Sequence, residues 1–259
     1  MQDKKINISK KLLRTAGKTN ATYKLIQEGD KVLVGFSGGK DSLTLIHLLK
    51  HIERHAPFKF AFEACTVSYG MPGENYDLLH QHCLEHEITH HVYETNIFEI
   101  SNDTIRENSS FCSYFSRMRR GALYTYAEQN GFNKIALGHH FDDAVESFFM
   151  NMFYNGSIRS LAPIYKTKRG VHLIRPLILA RESQLRAFAD DNNLQTIGDE
   201  ACPAMMKNVK MPHAREATKE WLKEMESKQK NIFKMIQASF EHIHDDTLLD
   251  PSRWQRDDV

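Results

Sequence analysis

Short apolar runs alternate along the chain with segments whose apolar residues recur at helical spacing. Four runs predict strands, 31–36, 59–69, 134–138 and 171–177, and residues 89–95 predict a weaker strand. Five segments carry an apolar face at helical spacing: 41–55, 75–87, 115–130, 142–154 and 182–193. Strands that alternate with helices of about a dozen residues predict crossover units and a parallel sheet.

The predicted fold is therefore α/β, with a doubly wound, mainly parallel sheet that helices cover on both faces. We assign this sheet to one domain at residues 31–200. A basic N-terminal arm is expected at 1–30. A loop and a helical C-terminal extension are expected at 201–259, with a long amphipathic helix or helix pair from Arg215.

Composition places the chain among ordinary globular proteins. Of its 259 residues, 41% are hydrophobic and 26% are charged. It has no run of about 18 apolar residues, and its first residues lack the apolar segment of a secretory signal. Four cysteines are too few for a disulfide framework. We expect a cytoplasmic protein that does not contact a membrane.

The net charge of +1 is unevenly distributed. Residues 1–31 hold eight Lys or Arg against three acids, and residues 203–234 hold eight against four. Basic ends around a near-neutral middle would suit a polyanion. Solvated helix faces are the alternative, because Lys and Glu interleave over 219–230. Charge alone leaves both interpretations open.

The stretch "GFSGGKDSLTLIH" (35–47) follows the first strand and opens a helix. A glycine-rich turn in that position can direct backbone N–H groups at phosphate, and Lys40 adds a positive charge. Val34 stands where a Walker loop needs glycine, and Asp41 stands where it needs Ser or Thr. A GxGxxG fingerprint is also missing. The pattern favours another kind of phosphate loop, with a plain surface turn as the alternative.

"SGGKDS" (37–42) together with "GHHFDD" (138–143) resembles the PP-loop ATP pyrophosphatase superfamily. "FCSYFSRMRRGALY", "LGHHFDDAVESFFMNMFY" and "IRPL" are similar, in the same order, to the tRNA 2-thiocytidine synthetase family. This resemblance extends from about residue 31 to residue 202. It implies cleavage of ATP between the α and β phosphates and adenylation of a carbonyl oxygen. It further implies tRNA and a sulfur donor, such as a cysteine desulfurase system, as partners.

The resemblance also implies an ATP site. The residues expected at the pyrophosphate are Ser37, Gly38, Gly39, Lys40, Asp41 and Ser42. Those expected near adenine and ribose, or in the same crevice, are Thr66, Val67, Ser68, Gly138 and His139. Asp41 and Asp142 are expected to hold Mg²⁺, since hard cations prefer oxygen ligands. A helix N-cap is the alternative role of Asp142.

Arg117, Arg119 and Arg120 lie near the start of a predicted helix, where cations oppose the helix dipole. This local conflict favours a role in binding phosphate, on tRNA or ATP. A solvated surface is the alternative interpretation.

The thiolating family, as the resemblance implies, holds an iron–sulfur cluster with three cysteines. Cys112 matches the first cysteine of a C-x-x-C pair, Phe115 replaces the second, and Cys202 matches the third. The set is incomplete, because phenylalanine cannot ligate iron. Without a cluster, Cys112 and Cys202, both expected in loops, would carry sulfur as a persulfide and resolve it as a disulfide. Cys65 and Cys83 are expected in the core.

Several histidines crowd residues 80–91. His82 and His86 share one helix face at i and i+4. No HExxH arrangement accompanies them, so we expect surface histidines rather than a metal site.

The leading hypothesis is an ATP-dependent tRNA sulfurtransferase acting at C2 of a pyrimidine, by family resemblance a cytidine at tRNA position 32. The catalytic residues would be Lys40, Asp41, Asp142, Cys112 and Cys202. One alternative is a tRNA-adenylating enzyme with an amine nucleophile. Another is a nucleotide- or tRNA-binding protein that has lost sulfur transfer. The oligomeric state, a homodimer included, stays open.

Overall fold

A computed structural model of the chain describes residues 6–104, 111–196, 213–244 and 247–249. The chain divides into two compact units, Met1–His213 and Ala214–Val259. The first unit carries the sheet and the succession of strand, loop and helix on which a phosphate site depends.

Strands and helices alternate in the described part of the first unit. The strands are β1 (Lys31–Gly35), β2 (Ala61–Val67), β3 (His90–Tyr93), β4 (Lys134–Ala136), β5 (Ile164–Lys166) and β6 (His172–Ile174). The helices are α1 (Lys10–Tyr23), α2 (Lys40–His55), α3 (Asp77–Glu85), α4 (Ile97–Thr104), α5 (Phe111–Gln129), α6 (Phe141–Asn155) and α7 (Glu182–Asp191).

The six strands form one sheet in the order β3-β2-β1-β4-β6-β5. All neighbouring pairs are parallel except β5 and β6 at the edge, which are antiparallel. The predicted mainly parallel α/β sheet is confirmed. The chain leaves β1 toward β2 on one side and returns to β4 on the other, so the strand order reverses beside β1. Ligands of such sheets bind at this switch point, outside the carboxyl ends of the strands.

Residues of β1 alternate between the two faces of the sheet. Val32 and Val34 pack in one buried cluster with α1, α2 and α7, whereas Leu33 packs in a second cluster with Leu123 of α5. Both faces are therefore covered, as a parallel sheet requires.

Three elements were missing from the sequence prediction: α1, α4 and β5. Helix α1 lies within the predicted basic arm, yet its Leu12 and Ala16 are buried in the first cluster. These residues thus belong to the packed unit rather than to a free arm. Ser9 caps α1, accepting a hydrogen bond from the backbone N–H of Leu12. Strand β5 is only three residues long, two of them exposed, which leaves little apolar pattern to read.

The described part of the second unit consists of α8 (His213–Lys228) and α9 (Ile232–Glu241). The alternative of a helix pair is therefore correct, and the break falls at 229–231. Leu222 and Phe233 are buried. None of the helices in the described ranges is long and apolar enough to cross a membrane.

Candidate active site

A cleft with a volume of about 200 Å³ opens at the carboxyl ends of β1, β2 and β4. It lies at the switch point that the strand order creates. The wall combines the loop after β1, the residues after β4 and one side of α5. Its lining residues are Gly35, Phe36, Ser37, Asp41, Ser42, Cys65, Val67, Ser116, Arg119, Arg120, Leu123, Leu137, Gly138, His139 and Asp143.

The loop between β1 and α2 has the backbone of an anion site. Gly38 adopts φ +80°, a left-handed conformation that favours glycine. Gly39 is the N-cap of α2 and has no side chain to cap the first N–H groups. The hydroxyl of Ser42 donates to the carbonyl of Gly39 at 2.9 Å and accepts from the N–H of Ser37 at 3.3 Å. These bonds hold the turn and leave the helix N-terminus for a ligand.

Lys40 lies between two carboxylates. Its Nζ is 3.3 Å from Oδ1 of Asp41 and 3.2 Å from Oε1 of Glu182, at the start of α7. Burial lowers the pKa of Lys40, but the two carboxylates outweigh it and the net direction is a raised pKa. The side chain therefore stays a cation at neutral pH.

Asp41 is the acidic side chain of the loop. Burial raises the pKa of Asp41, against the opposing charges of His140 and Lys40. Its Oδ1 is buried and accepts no hydrogen bond from the described residues, although Lys40 lies nearby as an ion pair. A buried carboxylate oxygen that accepts no hydrogen bond can still coordinate a metal cation, because hard cations prefer oxygen ligands.

Asp142, the second predicted magnesium ligand, is engaged elsewhere. Its Oδ1 lies 3.1 Å from both Nε and Nη2 of Arg181, and its Oδ2 accepts the N–H of Glu182 at 2.7 Å. The carboxylate thus joins α6 to the start of α7 and does not line the cleft. The N-cap of α6 is His140, which forms a capping box with Asp143. The N-cap alternative for Asp142 in its own helix is therefore wrong.

Asp143 is the acid that lines the cleft together with Asp41. Gly138 brings the two segments close, since a Cβ there would lie 3.0 Å from the backbone carbonyl of Asp41. The sequence analysis missed Asp143, Arg181 and Glu182. The motif "GHHFDD" contains both Asp142 and Asp143, but the sequence does not indicate which of them faces the cleft. No sequence pattern indicated that Lys40 and Glu182 are neighbours.

Of the three residues expected near adenine and ribose after β2, one lines the cleft and two form hydrogen bonds within the fold. Val67 lines the cleft. The hydroxyl of Thr66 donates to the carbonyl of Phe36 at 2.8 Å, and that of Ser68 donates to Oε2 of Glu74 at 2.7 Å. Thr66 and Ser68 therefore hold the ends of β1 and β2 in place.

His139 lines the cleft as a neutral imidazole. Burial, with a further contribution from Arg175, lowers the pKa of His139 to about 4. Nε of Arg175 donates to its Nδ1 at 3.1 Å. This hydrogen bond leaves Nε2 as the N–H donor of the ring.

Two of the three predicted arginines reach the cleft. Arg119 and Arg120 line it from α5. Arg117 is exposed, and its guanidinium carbon lies 6.0 Å from the centre of the Tyr114 ring. The three residues therefore divide into two that face the cleft and one on the surface.

The predicted sulfur-handling cysteines are only partly visible. Cys112 was expected in a loop, but its backbone belongs to the first turn of α5. Its side chain and the whole of Cys202 lie outside the described residues. Phe115 is 2% exposed and packs edge-on against the rings of Tyr69 and Tyr114. The position that resembles a cluster ligand is thus part of an aromatic core.

Cys65 and Cys83 are buried, as predicted. Burial raises the pKa of each thiol to about 12, so neither is a thiolate at neutral pH. Cys65 also forms part of the cleft wall, where it acts as an apolar surface.

Comparison with known proteins agrees with this geometry. Residues 7–208 match the PP-loop domain family, whose members bind ATP. The chain belongs to the PP-loop family. A tRNA-cytidine(32) 2-sulfurtransferase of Geobacter metallireducens is 37% identical over 93% of both chains. One of Pseudomonas fluorescens is 37% identical over 89% of this chain and 84% of its own.

Among solved structures, a U34-tRNA thiolase of Methanococcus maripaludis, determined with its 4Fe–4S cluster, superposes with a TM-score of 0.68. The match covers 89% of this chain and 78% of the thiolase at 22% identity. At that identity the likeness concerns the PP-loop fold alone.

Proposed function

We propose that this PP-loop protein is an ATP-dependent tRNA sulfurtransferase that replaces the C2 oxygen of a cytidine at tRNA position 32. One observation carries the proposal: relatives of that named activity match nearly the whole chain, and the PP-loop match over residues 7–208 contains every residue that lines the cleft. The electropositive side chains and free helix N-terminus at the cleft suit a polyphosphate.

The chain's own groups would act on the nucleotide as follows. The N-terminus of α2, Ser37 and Lys40 would hold the phosphates that leave as pyrophosphate. Arg119 and Arg120 would offset negative charge as the C2 carbonyl oxygen of the base attacks the α-phosphorus. That attack forms an O–P bond and breaks the bond to pyrophosphate. The product is an O-adenylated base, whose C2 can now lose AMP.

For magnesium we propose Asp41 with Asp143 as the carboxylate ligands. The donorless Oδ1 of Asp41 fits a cation, and Asp143 lines the same cleft while Asp142 does not. A bound Mg²⁺ would supply positive charge to the phosphate oxygens.

For sulfur transfer we propose Cys112 and Cys202. A persulfide on one cysteine would attack C2 through its terminal sulfur and expel AMP. The other thiolate would then attack the cysteine sulfur, which releases the thiocarbonyl and leaves a disulfide. A cellular dithiol would reduce this disulfide, and a cysteine desulfurase system would restore the persulfide. The buried Phe115 does not fit a three-thiolate cluster set, so the proposed sulfur transfer uses the two cysteines alone.

Analysis of tRNA nucleosides tests the proposed function. Cells that lack the protein should lose 2-thiocytidine, and the intact gene should restore it. Loss of a different modified base, with 2-thiocytidine retained, would contradict the proposal and support an amine nucleophile.

The products of ATP turnover provide a second test. We expect AMP and pyrophosphate in equal amounts, because Lys40 and the α2 N-terminus hold the departing pyrophosphate. Chromatography of ATP labelled separately in the α and γ phosphates measures both products. ADP as the main product would exclude PP-loop chemistry.

The salt dependence of tRNA binding tests whether the three arginines contact tRNA phosphates. If Arg119 and Arg120 contact tRNA phosphates, changing each to Gln should flatten the slope of log affinity against log salt by roughly 0.7–0.9 per lost contact. Arg117→Gln on the exposed face of the same helix is the matched control. An unchanged slope in the double variant, with weaker ATP binding, would assign both arginines to the nucleotide alone.

A further inference from the structure

Three histidines from two helices meet away from the cleft. His47 comes from the middle of α2, His82 from the last turn of α3, and His86 is the C-cap of α3. The nitrogens with which they could bind a metal all lie within 4.8 Å of one another. Nε2 of His47 is 2.8 Å from Nε2 of His82. The ring centres of His47 and His86 are 4.7 Å apart.

The distances are close to those of a metal site. Zinc–nitrogen bonds of 2.0–2.1 Å in a tetrahedral site place two ligand nitrogens about 3.3 Å apart. Nε2 of His47 and Nε2 of His82 are closer than that, at 2.8 Å, and no pair of candidate nitrogens is more than 4.8 Å apart. Changes of at most about 1.5 Å in the separations of the nitrogens, which side-chain rotation can supply, would therefore bring three imidazoles onto one ion.

The surroundings of the cluster favour a bound cation. His47 is 4% exposed, and its ring lies edge-on to those of His82 and His86. His82 and His86 lie at the C-terminus of α3, where the helix dipole stabilises positive charge.

The cluster is open to solvent from two sides. One cleft is lined by His47 and His86 and a second by His82 and His86. Glu85 lines both, so a carboxylate stands at each entrance. An ion can thus enter, and a fourth coordination position can be filled by water.

We propose that His47, His82 and His86 form a binding site for a divalent late transition-metal ion of the zinc class, with water as the fourth ligand. Three imidazoles are a ligand set that suits Zn²⁺ and leaves one position open. The ion clamps α3 to α2. His47 lies seven residues from Lys40, about 10 Å along the helix axis, so the site is separate from the nucleotide cleft.

Metal titration of the full chain tests this proposal. We expect Zn²⁺ to bind one per chain at this site, and Co²⁺ to bind with the visible bands of a tetrahedral ion and no near-ultraviolet thiolate band. His82→Gln and His86→Gln should each weaken binding by tenfold or more. His51→Gln is the matched control, since His51 is on α2 but stacks on His55 instead. It should bind as tightly as the unaltered chain.

A second readout is the melting temperature. Zinc should raise it for the unaltered chain and for His51→Gln, but not for the His82→Gln/His86→Gln double variant. Neither of these two side chains is fully buried, so the double variant should fold. Equal zinc binding by the double variant, or a thiolate band with Co²⁺, would place the ion elsewhere and overturn the proposal.

Discussion

Replacing Lys40 by Met should lower the rate of pyrophosphate release by about 10²–10³-fold, the typical cost of removing one charge-stabilising group. Lys40 is held as a cation between Asp41 and Glu182, at the loop that follows β1. The stability should change by less than about 1 kcal/mol, because the ion pairs are about a third exposed. Pyrophosphate release at saturating ATP and tRNA measures the first quantity, and urea unfolding the second.

Lys50→Met is the matched control. Lys50 lies on the same helix and also pairs with a glutamate, Glu53, but it is ten residues, or about 15 Å, farther along α2 from the loop after β1. Its loss should leave pyrophosphate release unchanged. If Lys40→Met kept more than a third of the activity, Lys40 would have no part in the chemistry.

Two adjacent acids should respond in opposite ways to the same change. Asp142→Asn should lower the free energy of unfolding by about 2 kcal/mol, because it breaks a mostly buried ion pair with Arg181. Its side chain is only 13% exposed, and Asn retains one oxygen for the N–H of Glu182. This cost exceeds the value of about 1 kcal/mol or less expected for a side chain that only faces solvent.

Asp143→Asn should cost less stability, about 1 kcal/mol or less, since Asn can still accept the capping hydrogen bond from His140. It should instead raise the magnesium concentration needed for half-maximal activity by tenfold or more. Urea unfolding and magnesium titration of both variants separate the two roles. A magnesium shift for Asp142→Asn but not for Asp143→Asn would restore Asp142 as the ligand.

The central strands of the sheet could be predicted from the sequence because β1, β2 and β4 lie in short apolar runs. Loop 37–42 was readable because glycines, a lysine and an aspartate together have no packing purpose. Strand β5 could not be predicted from the sequence, since two of its three residues are exposed. The sequence also could not decide whether Asp142 or Asp143 faces the cleft. Neighbouring residues on a helix point about 100° apart, and only the packing of the helix determines which of them faces the cleft.

Most of the contacts that the sequence failed to predict join segments that are far apart in the chain. Glu182 reaches Lys40 only because α7 packs on α2. His47 completes a three-histidine cluster from a helix some 35 residues before its partners. Sequence spacing detects pairs on one helix, such as His82 and His86. It has no way of detecting a third member that tertiary packing supplies.

The strand order has a consequence for synthesis. β1 lies between β2 and β4, and β4 is made about 100 residues after β1. At roughly 5–20 residues per second, the nascent chain spends about 5–20 s with one edge of β1 unpaired. The backbone groups that later bond to Ile135 and Ala136 are then available to other chains. We therefore expect ribosome-bound chains truncated before residue 134 to recruit chaperones, and chains that extend past β6 to release them.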